Sequence, residues 1–190
     1  MHHSPSRRRL IAFYIAASIS LGAGAAPAPT VKFATSMGDF VVELDPVHAP
    51  KTVDNFVQYV KAGHYNGTVF HRVIPNFMIQ GGGMTAALAE KAVRAPIALE
   101  SRNGLKNLRG SVAMARTGDP NSATAQFFVN VVDNEFLNAS ASADGYAVFG
   151  RVVAGMDVVD RIRGVATADK GPLQNVPVQP VLINAATLQP

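Results

Sequence analysis

Residues 65–83 read YNGTVFHRVIPNFMIQGGG, and this stretch decides how the whole chain is interpreted. Two runs rich in Val, Ile and Phe, at 69–73 and 77–80, are separated by Ile-Pro-Asn. Such a pattern is typical of two short β-strands joined by a turn. The three glycines at 81–83 are predicted to end the second strand. The stretch therefore predicts a β-hairpin within a mainly β domain.

The hairpin brings polar and apolar side chains together. Arg72 lies before the turn and Gln80 after it. Met78 and Gln80 are two residues apart and should share one face, so Phe77 is expected at the turn or at a bulge if it joins them. By the same alternation His71 should face away from Arg72, and we interpret it as structural. A fixed cation beside amide groups and an apolar wall suits chemistry that transfers no proton, such as rotation about a peptide bond to proline.

The rest of the chain predicts short strands rather than a regular alternation of strands and helices. Further strand-like runs occur at 31–35, 40–44, 95–99, 111–115, 126–132, 146–153 and 176–185. Apolar residues recur at helical spacing over 52–62 and, more briefly, over 156–162. About eight strands and two helices indicate an antiparallel barrel or sandwich with helices covering its open ends.

Composition favours one globular domain with a short appendage. The 190 residues are 48% hydrophobic and 16% charged, which excludes a disordered chain. There is no cysteine, so disulfides, thiolate catalysis and cysteine-based zinc sites are excluded. The histidines have no partners at metal-ligand spacing, and we predict neither a metal nor a cofactor.

Residues 1–25 are predicted to be a cleavable signal peptide. Three arginines at 7–9 precede an apolar run at 10–21, and Ala-Gly-Ala at 23–25 is a small-residue cleavage site. A retained membrane anchor is the alternative, but the apolar run is shorter than the roughly 20 residues that a membrane span needs. Residues 26–30 would then be an extended leader and residues 31–190 the folded domain. The predicted location is the periplasm, with secretion as the second possibility.

The charge of the mature chain argues against a nucleic-acid partner. The whole chain has 17 Lys and Arg against 13 Asp and Glu, and its first 25 residues contain three arginines and no acid. Cleavage would leave 14 basic and 13 acidic residues. Such a balance produces no strong field for nucleic acid or anionic lipid. We predict a monomer without nucleic-acid binding and without stable membrane association after cleavage.

Three ordered blocks resemble the cyclophilin-type peptidyl-prolyl cis-trans isomerases. They read FHRVIPNFMIQGG from residue 70, GSVAMAR from 110 with QFFVN from 126, and FLN from 136 with GYAVFGRV from 145. The resemblance extends from about Val31 to Ile183 and is closest to the exported bacterial branch. It implies a mainly β fold, a closed eight-stranded antiparallel β-barrel capped by two α-helices, with its site on the outer face of the barrel.

The resemblance also implies the site residues and the substrates. Arg72 and Gln80 are the expected catalytic residues. The expected substrate-binding residues are Phe77, Met78, Ala115, Gln126, Phe128, Phe136, Leu137 and Tyr146. Among these, Ala115 and Gln126 should contribute mainly backbone and shape. The substrates would be unfolded or extended polypeptides that contain proline, and the activity would assist the folding of exported proteins.

Elementary chemistry supports a role for an arginine in such a reaction. A barrier of ~18–20 kcal/mol resists rotation because the peptide bond has partial double-bond character. At the transition state that resonance is lost and the proline nitrogen carries a lone pair. Arg72 is always charged and can donate a hydrogen bond to this nitrogen only then, which is the condition for acceleration. Gln80 can hold the substrate carbonyl or orient the guanidinium group.

Three departures from the common family pattern concern the edge of the site. Phe136 and Tyr146 stand where many eukaryotic members carry Trp and His, and the loop 116–124 has one extra residue near Asp119. Phe136 lacks the indole N–H donor, so we predict weaker binding of cyclosporin than in members with Trp. The longer loop is expected to change the preference for residues beside proline.

Two other functions are compatible with the same sequence. The chain could be a binding module or holdase that recognises proline-containing peptides without catalysis. It could also be a small-ligand barrel of the lipocalin type, which requires an open barrel interior.

Overall fold

The structure is a computed structural model that describes residues 1–2 and 28–189. The predicted signal peptide and its cleavage site fall largely on residues 3–27, which lie outside the described part. The strands are β1 (Thr30–Thr35), β2 (Gly38–Leu44), β3 (Thr68–Ile74), β4 (Met78–Thr85), β5 (Ser111–Met114), β6 (Phe127–Asn130), β7 (Val148–Ala154), β8 (Thr167–Lys170), β9 (Leu173–Pro177) and β10 (Leu182–Gln189). The helices are α1 (Pro50–Lys61) and α2 (Met156–Arg163), and a 3₁₀ turn spans Glu135–Leu137.

Eight of the strands close into an antiparallel barrel, as the sequence predicted. Their order around the barrel is β1-β10-β3-β4-β6-β5-β7-β2. In the first hairpin, Phe33 of β1 lies opposite Phe40 of β2, and their rings stack with centroids 4.9 Å apart. Inward side chains of β1 and β2 are buried, and those of the other face are half-buried or, at Asp39, exposed.

Aromatic rings fill the interior of the barrel. Phe33 and Phe127 are fully buried, with ring centroids 5.2 Å apart. Phe56 of α1 packs edge-on against Phe127 at 5.8 Å and closes the interior from one end. A barrel filled in this way has no room for a ligand inside it, so the hypothesis of a lipocalin-like barrel is wrong.

Both predicted helices are present and bury one apolar face. Helix α1 begins with Pro50 in its first turn and has no side-chain cap of its own. The Glu100 carboxylate, far away in sequence, accepts hydrogen bonds from the backbone N–H groups of Lys51 and Thr52 at 3.1 and 2.8 Å. These groups are otherwise unsatisfied at a helix start. Neither helix of the described residues is long and apolar enough to span a membrane.

Two of the predicted strands are not found as single strands in the structure. Residues 95–99 contribute only an isolated bridge from Ile97 to Ala123 and no strand. Residues 176–185 do not form one strand either, because 167–177 fold into the separate two-stranded β8–β9 sheet before β10 closes the barrel. Gly171 at the tip of that hairpin has φ +58°, a value that glycine adopts readily.

The glycines at 81–83 do not end β4, which continues to Thr85. Each lies where a neighbouring side chain leaves no room for a Cβ atom. A Cβ at Gly81 would lie 2.9 Å from the Phe70 ring, and one at Gly82 2.8 Å from the Tyr65 ring. The glycines therefore allow close packing within a continuous strand, which a sequence pattern cannot distinguish from a strand end.

Candidate active site

Four neighbouring strands align the predicted site residues in one row. Arg72 of β3 lies opposite Gln80 of β4, and Gln80 lies opposite Phe128 of β6. Phe128 in turn lies opposite Ala113 of β5. Directly opposed residues share a face and have Cβ atoms roughly 4.5–5.5 Å apart. The barrel therefore places a cation, an amide and an aromatic ring side by side on one face.

An apolar cluster, separate from the barrel interior, forms the wall beside this row. Its buried members are Met78, Ala113, Phe128, Leu137 and Val148, and its partly buried members are Ile74, Phe77, Leu105, Ala115 and Tyr146. Six predicted residues thus join residues that the sequence analysis missed. Ala113 could have been found, because it is two residues before Ala115 and shares its face. Val148 could have been found in the same way, because it lies two residues after Tyr146 in a predicted strand, whereas Leu105 carried no local signal.

Aromatic residues line the edge of the site. Phe77 lies in the turn between β3 and β4, as predicted, and stacks on Phe136 with centroids 5.5 Å apart. Phe136 is 70% exposed and so forms an outer lip rather than a buried floor. On the other side Tyr146 meets the Phe128 ring edge-on at 5.6 Å. The two ring pairs thus lie at the edges of the apolar wall.

The polar part of the site comprises Arg72 and a pair of glutamines. Arg72 is half-buried, and none of the carboxylates of the described residues lies within ion-pair distance of it. Gln80 Nε2 donates a hydrogen bond of 2.9 Å to Gln126 Oε1. The Gln126 side chain therefore orients Gln80, which corrects the expectation that Gln126 contributes mainly backbone and shape. Ala115 does contribute through its backbone, because its N–H donates to the Gln126 carbonyl at 2.9 Å.

Gly83 makes room for the Gln126 side chain. A Cβ atom at Gly83 would lie 2.4 Å from Gln126 Cγ, a carbon near the root of that side chain. We expect Gly83→Ala to move Gln126, to remove the acceptor of Gln80 and to lower kcat/KM about tenfold, the effect of losing one hydrogen bond of ~1.4 kcal/mol. A peptide isomerisation assay measures the change. Gly164→Ala, whose new Cβ would meet nothing closer than 3.5 Å, is the control, and equal activities of the two variants would contradict the prediction.

His71 lies where the ladder between β3 and β4 is interrupted. Phe70 pairs with Gly81 and Arg72 with Gln80, so His71 is an extra residue with no partner opposite it. The prediction that His71 faces away from Arg72 assumed regular alternation, and this bulge removes that assumption. Burial lowers the pKa of His71, the Arg72 charge acts in the same direction, and the Val69 backbone and the Gln126 side chain oppose it. His71 Nδ1 is buried without a hydrogen-bond partner among the described residues.

Two buried histidines predict that stability decreases in weak acid. Burial lowers the pKa of both His64 and His71 from the usual value of 6.5. The unfolded chain therefore binds more protons than the native protein once the pH falls below 6.5, and the free energy of unfolding should decrease from there downward. Denaturant titrations between about pH 7.5 and pH 5 measure this decrease in the free energy of unfolding. The pH range lies above that in which carboxylates titrate. A His64→Gln, His71→Gln variant should show a flatter profile, and an unchanged profile would contradict the assignment.

A network of buried asparagines supports the Phe77 turn. Asn134 Nδ2 donates to the Phe77 carbonyl at 2.9 Å and to Asn130 Oδ1 at 2.7 Å. Asn130 Nδ2 donates in turn to Asn107 Oδ1 at 3.1 Å, and Asn107 donates to the Leu137 carbonyl at 3.1 Å. One network thus ties the Phe77 side of the site to the Leu137 side. Sequence analysis missed these residues, because an asparagine is usually a surface residue, whether in a loop or, like Asn130, at the end of a strand.

A cavity of about 630 Å³ lies elsewhere on the barrel, between β2 and the loop at 105–111. Leu105 and Val148 separate it from the apolar cluster of the site. Its lining contains none of the predicted site residues, and its arginines at 109 and 151 are paired with Asp160 and Glu43. The row of Arg72, Gln80 and Phe128 is therefore the candidate active site.

The family of the chain follows from comparison with known proteins. The family model of cyclophilin type peptidyl-prolyl cis-trans isomerases matches residues 30–188. A peptidyl-prolyl cis-trans isomerase of Streptomyces antibioticus is 57% identical over 162 residues, which are 84% of this chain and 98% of that protein. Isomerase A of Dickeya dadantii is 48% identical over 186 residues, covering 96% of this chain and 98% of that protein.

The chain belongs to the cyclophilin-type peptidyl-prolyl cis-trans isomerases. It is an enzyme that catalyses cis-trans isomerisation of peptide bonds to proline, and the fold implied by the sequence is confirmed. A crystal structure of a Cryptosporidium parvum cyclophilin superposes on this isomerase with a TM-score of 0.72 at 26% identity, covering 86% of this chain and 98% of that one. A second structure, determined in the presence of the dipeptide Ala-Pro, superposes with a TM-score of 0.70 and covers 85% of this chain and 99% of that one.

In this isomerase the ten predicted site residues lie around one face of the barrel. Arg72 and Gln80 form the polar row, and the predicted apolar residues form the wall and its outer lip. Among residues 1–2 and 28–189 there is no group of three or more His, Cys, Asp or Glu side chains that could hold a metal ion. The row itself comprises one cation, Arg72, with neutral amides and an aromatic ring beside the apolar wall.

Proposed function

We propose that this isomerase is exported and accelerates proline isomerisation in extended segments of exported proteins as they fold, with Arg72 as its catalytic cation. The observation that carries the role of Arg72 is its place in the row: it is half-buried, without a carboxylate partner among the described residues, and aligned with Gln80 and Phe128. A cation that is not neutralised by its own protein remains available to a substrate.

The geometry supports a division of labour within the site. The apolar wall of Met78, Phe128 and Leu137 would bind the proline ring and exclude water, because these side chains are buried and adjacent. In that drier environment the charge of Arg72 is screened less. Its hydrogen bond to the proline nitrogen would then stabilise the twisted transition state more than the planar ground state.

Gln80 would complete the polar row. Gln126 holds its Nε2 through a hydrogen bond of 2.9 Å, which limits the rotamers that Gln80 can adopt. An amide held in this way can bind the substrate carbonyl beside the rotating bond or keep the Arg72 guanidinium in place. No group in this scheme gains or loses a proton, in agreement with the chemistry of the rotation.

The proposed substrates are extended polypeptides that contain proline. The related Cryptosporidium parvum cyclophilin whose structure was determined with Ala-Pro supports this class of ligand. Phe136 offers an exposed ring without a hydrogen-bond donor, and we therefore also propose that cyclosporin binds this protein only weakly. We further propose that the mature protein is a monomer that binds no nucleic acid.

The N-terminal sequence supports export. The alignment with the Dickeya dadantii isomerase covers 96% of this chain, so it includes most of the residues that precede Thr30. By contrast, isomerase B of Escherichia coli aligns over 98% of its own length but only 83% of this chain, at 54% identity. The Dickeya relative thus matches a longer part of this chain, one that includes most of the predicted signal segment.

Fractionation of cells that express the full chain with a C-terminal tag tests export. We expect a shortened protein in the periplasmic fraction, with a new N-terminus near Ala26. A variant with Ile15→Arg, which places a charge in the apolar run, should stay full-length inside the cell. Full-length protein in the cytoplasm of cells with the unaltered chain would contradict the proposed location but leave the isomerase activity unaffected.

A further inference from the structure

We propose that Arg116 selects substrates with an acidic residue beside the proline by binding the carboxylate of that residue. The inference rests on the proposed function, because it takes the face built by Arg72, Gln80 and Phe128 as the place where the peptide binds. Arg116 directly follows Ala115, a member of the apolar wall, and opens the loop at 116–124.

The Arg116 guanidinium is held in one position. Its Cζ atom lies 4.6 Å from the centre of the Tyr146 ring, over the ring. Its Nε and Nη2 donate to the Gly145 carbonyl at 3.1 and 2.9 Å, and its Nη1 donates to the Thr117 carbonyl at 2.9 Å. A cation fixed on an aromatic face loses little conformational entropy when it binds an anion, in contrast to a mobile surface side chain.

The position is within reach of a peptide whose proline occupies the apolar wall. Tyr146 contacts both the Phe128 ring, at 5.6 Å, and the guanidinium, at 4.6 Å. The guanidinium therefore lies no farther than about 10 Å from the Phe128 ring. An extended chain advances roughly 3.3–3.6 Å per residue, so a residue adjacent to proline can bring a Glu side chain to this distance.

The hydrogen bonds of Arg116 leave it able to bind a carboxylate. A guanidinium has five N–H donors, and three are used by the two backbone carbonyls. The remaining two belong to different terminal nitrogens, the arrangement that a carboxylate with two oxygens requires. None of the Asp or Glu side chains within residues 28–189 forms an ion pair with Arg116. Its charge is thus not neutralised by the protein, although carbonyls hold its position.

A purely structural role for Arg116 is the competing explanation. The same hydrogen bonds would then serve only to connect the loop at 116–124 to Gly145. Loss of such a connection would lower activity toward every peptide to a similar degree. A carboxylate site instead predicts that the loss depends on the charge of the peptide and on salt.

Three tetrapeptides that differ only next to proline separate these explanations. The variable residue is Glu, its neutral isostere Gln, or Lys, placed before proline in one set and after it in another. At low salt, we expect kcat/KM for the Glu peptide to exceed that for the Gln peptide about fivefold in one of the two sets, and the Lys peptide to have the lowest value. A difference of this size is that of a fixed, partly exposed ion pair. At about 1 M salt, where the Debye length is roughly 3 Å, the ratio should fall toward one.

Variants of Arg116 assign the preference to this residue. Arg116→Gln should reduce the Glu to Gln ratio to about one, and Arg116→Lys, which keeps the charge but not the fork of donors, should give an intermediate ratio. Arg161→Gln, which removes the same charge from exposed helix α2, should leave the ratio unchanged. Because the ratio compares two peptides on one protein, a general loss of activity does not affect it.

The outcomes distinguish this inference from the function on which it rests. Two results would overturn the role of Arg116 and leave the proposed function intact. One is turnover of all peptides with a Glu to Gln ratio of kcat/KM near one in both sets, and the other is a raised ratio that persists in Arg116→Gln. Absence of turnover with every peptide would overturn both.

Discussion

Arg72→Ala is expected to lower kcat/KM by about 100-fold or more, the effect of removing a preorganised donor from a transition state. The half-buried guanidinium is without a carboxylate partner among the described residues and lies beside Gln80 in the row. No other cation occupies that row, so no neighbouring charge would replace the proposed hydrogen bond from Arg72 to the proline nitrogen. A protease-coupled assay with a proline tetrapeptide measures the change.

Two further variants define what Arg72 contributes. Arg72→Lys keeps a positive charge but not the planar fork of donors, so it should recover only part of the activity. Arg151→Ala removes an exposed arginine that is paired with Glu43 away from the site, and should retain activity close to that of the unaltered protein. Undiminished catalysis by Arg72→Ala would exclude the proposed mechanism. Peptide binding without turnover in the unaltered protein would instead favour the holdase.

Phe33→Ala is expected to lower the free energy of unfolding by about 3–5 kcal/mol, the usual cost of removing a fully buried ring. Phe33 has no exposed surface and packs against Phe40, Phe56, Tyr65 and Phe127. The strands around it form a closed barrel and cannot collapse into the vacated volume. Because small domains are stable by only about 5–15 kcal/mol, this loss is a large share of the total.

Denaturant unfolding monitored by circular dichroism measures this loss. Phe136→Ala removes a ring that is 70% exposed and is the matched control, with an expected change below about 1 kcal/mol. It should weaken substrate binding instead, because Phe136 forms the outer lip of the site with Phe77. Similar losses of stability for the two variants would mean that the ring of Phe33 is not part of a tightly packed interior.

The sequence predicted those elements whose signals lie within a few residues of one another. Helix α1 carried helical apolar spacing between a proline and a glycine, and the structure begins it at Pro50. The turn position of Phe77 followed from the two-residue period of the strand around Met78 and Gln80. The glycines at 81–83 were misread because their reason is spatial: the Phe70 and Tyr65 rings and the Gln126 side chain occupy the space of their Cβ atoms.

The sequence by itself determined the type of chemistry, because one motif brings together an arginine, an amide and apolar side chains without an acid pair, a metal-ligand set or an evident nucleophile. Only the tertiary structure decided which residues act on one another. Strand register across the barrel placed Phe128 opposite Gln80, and the bulge at His71 set the position of Arg72. Contacts between distant segments paired Gln126 with Gln80 and fixed Arg116 on Tyr146. The physical reason is that these contacts depend on closure of the barrel, which brings together strands that are far apart along the chain. Contacts of this kind leave no local pattern in the sequence.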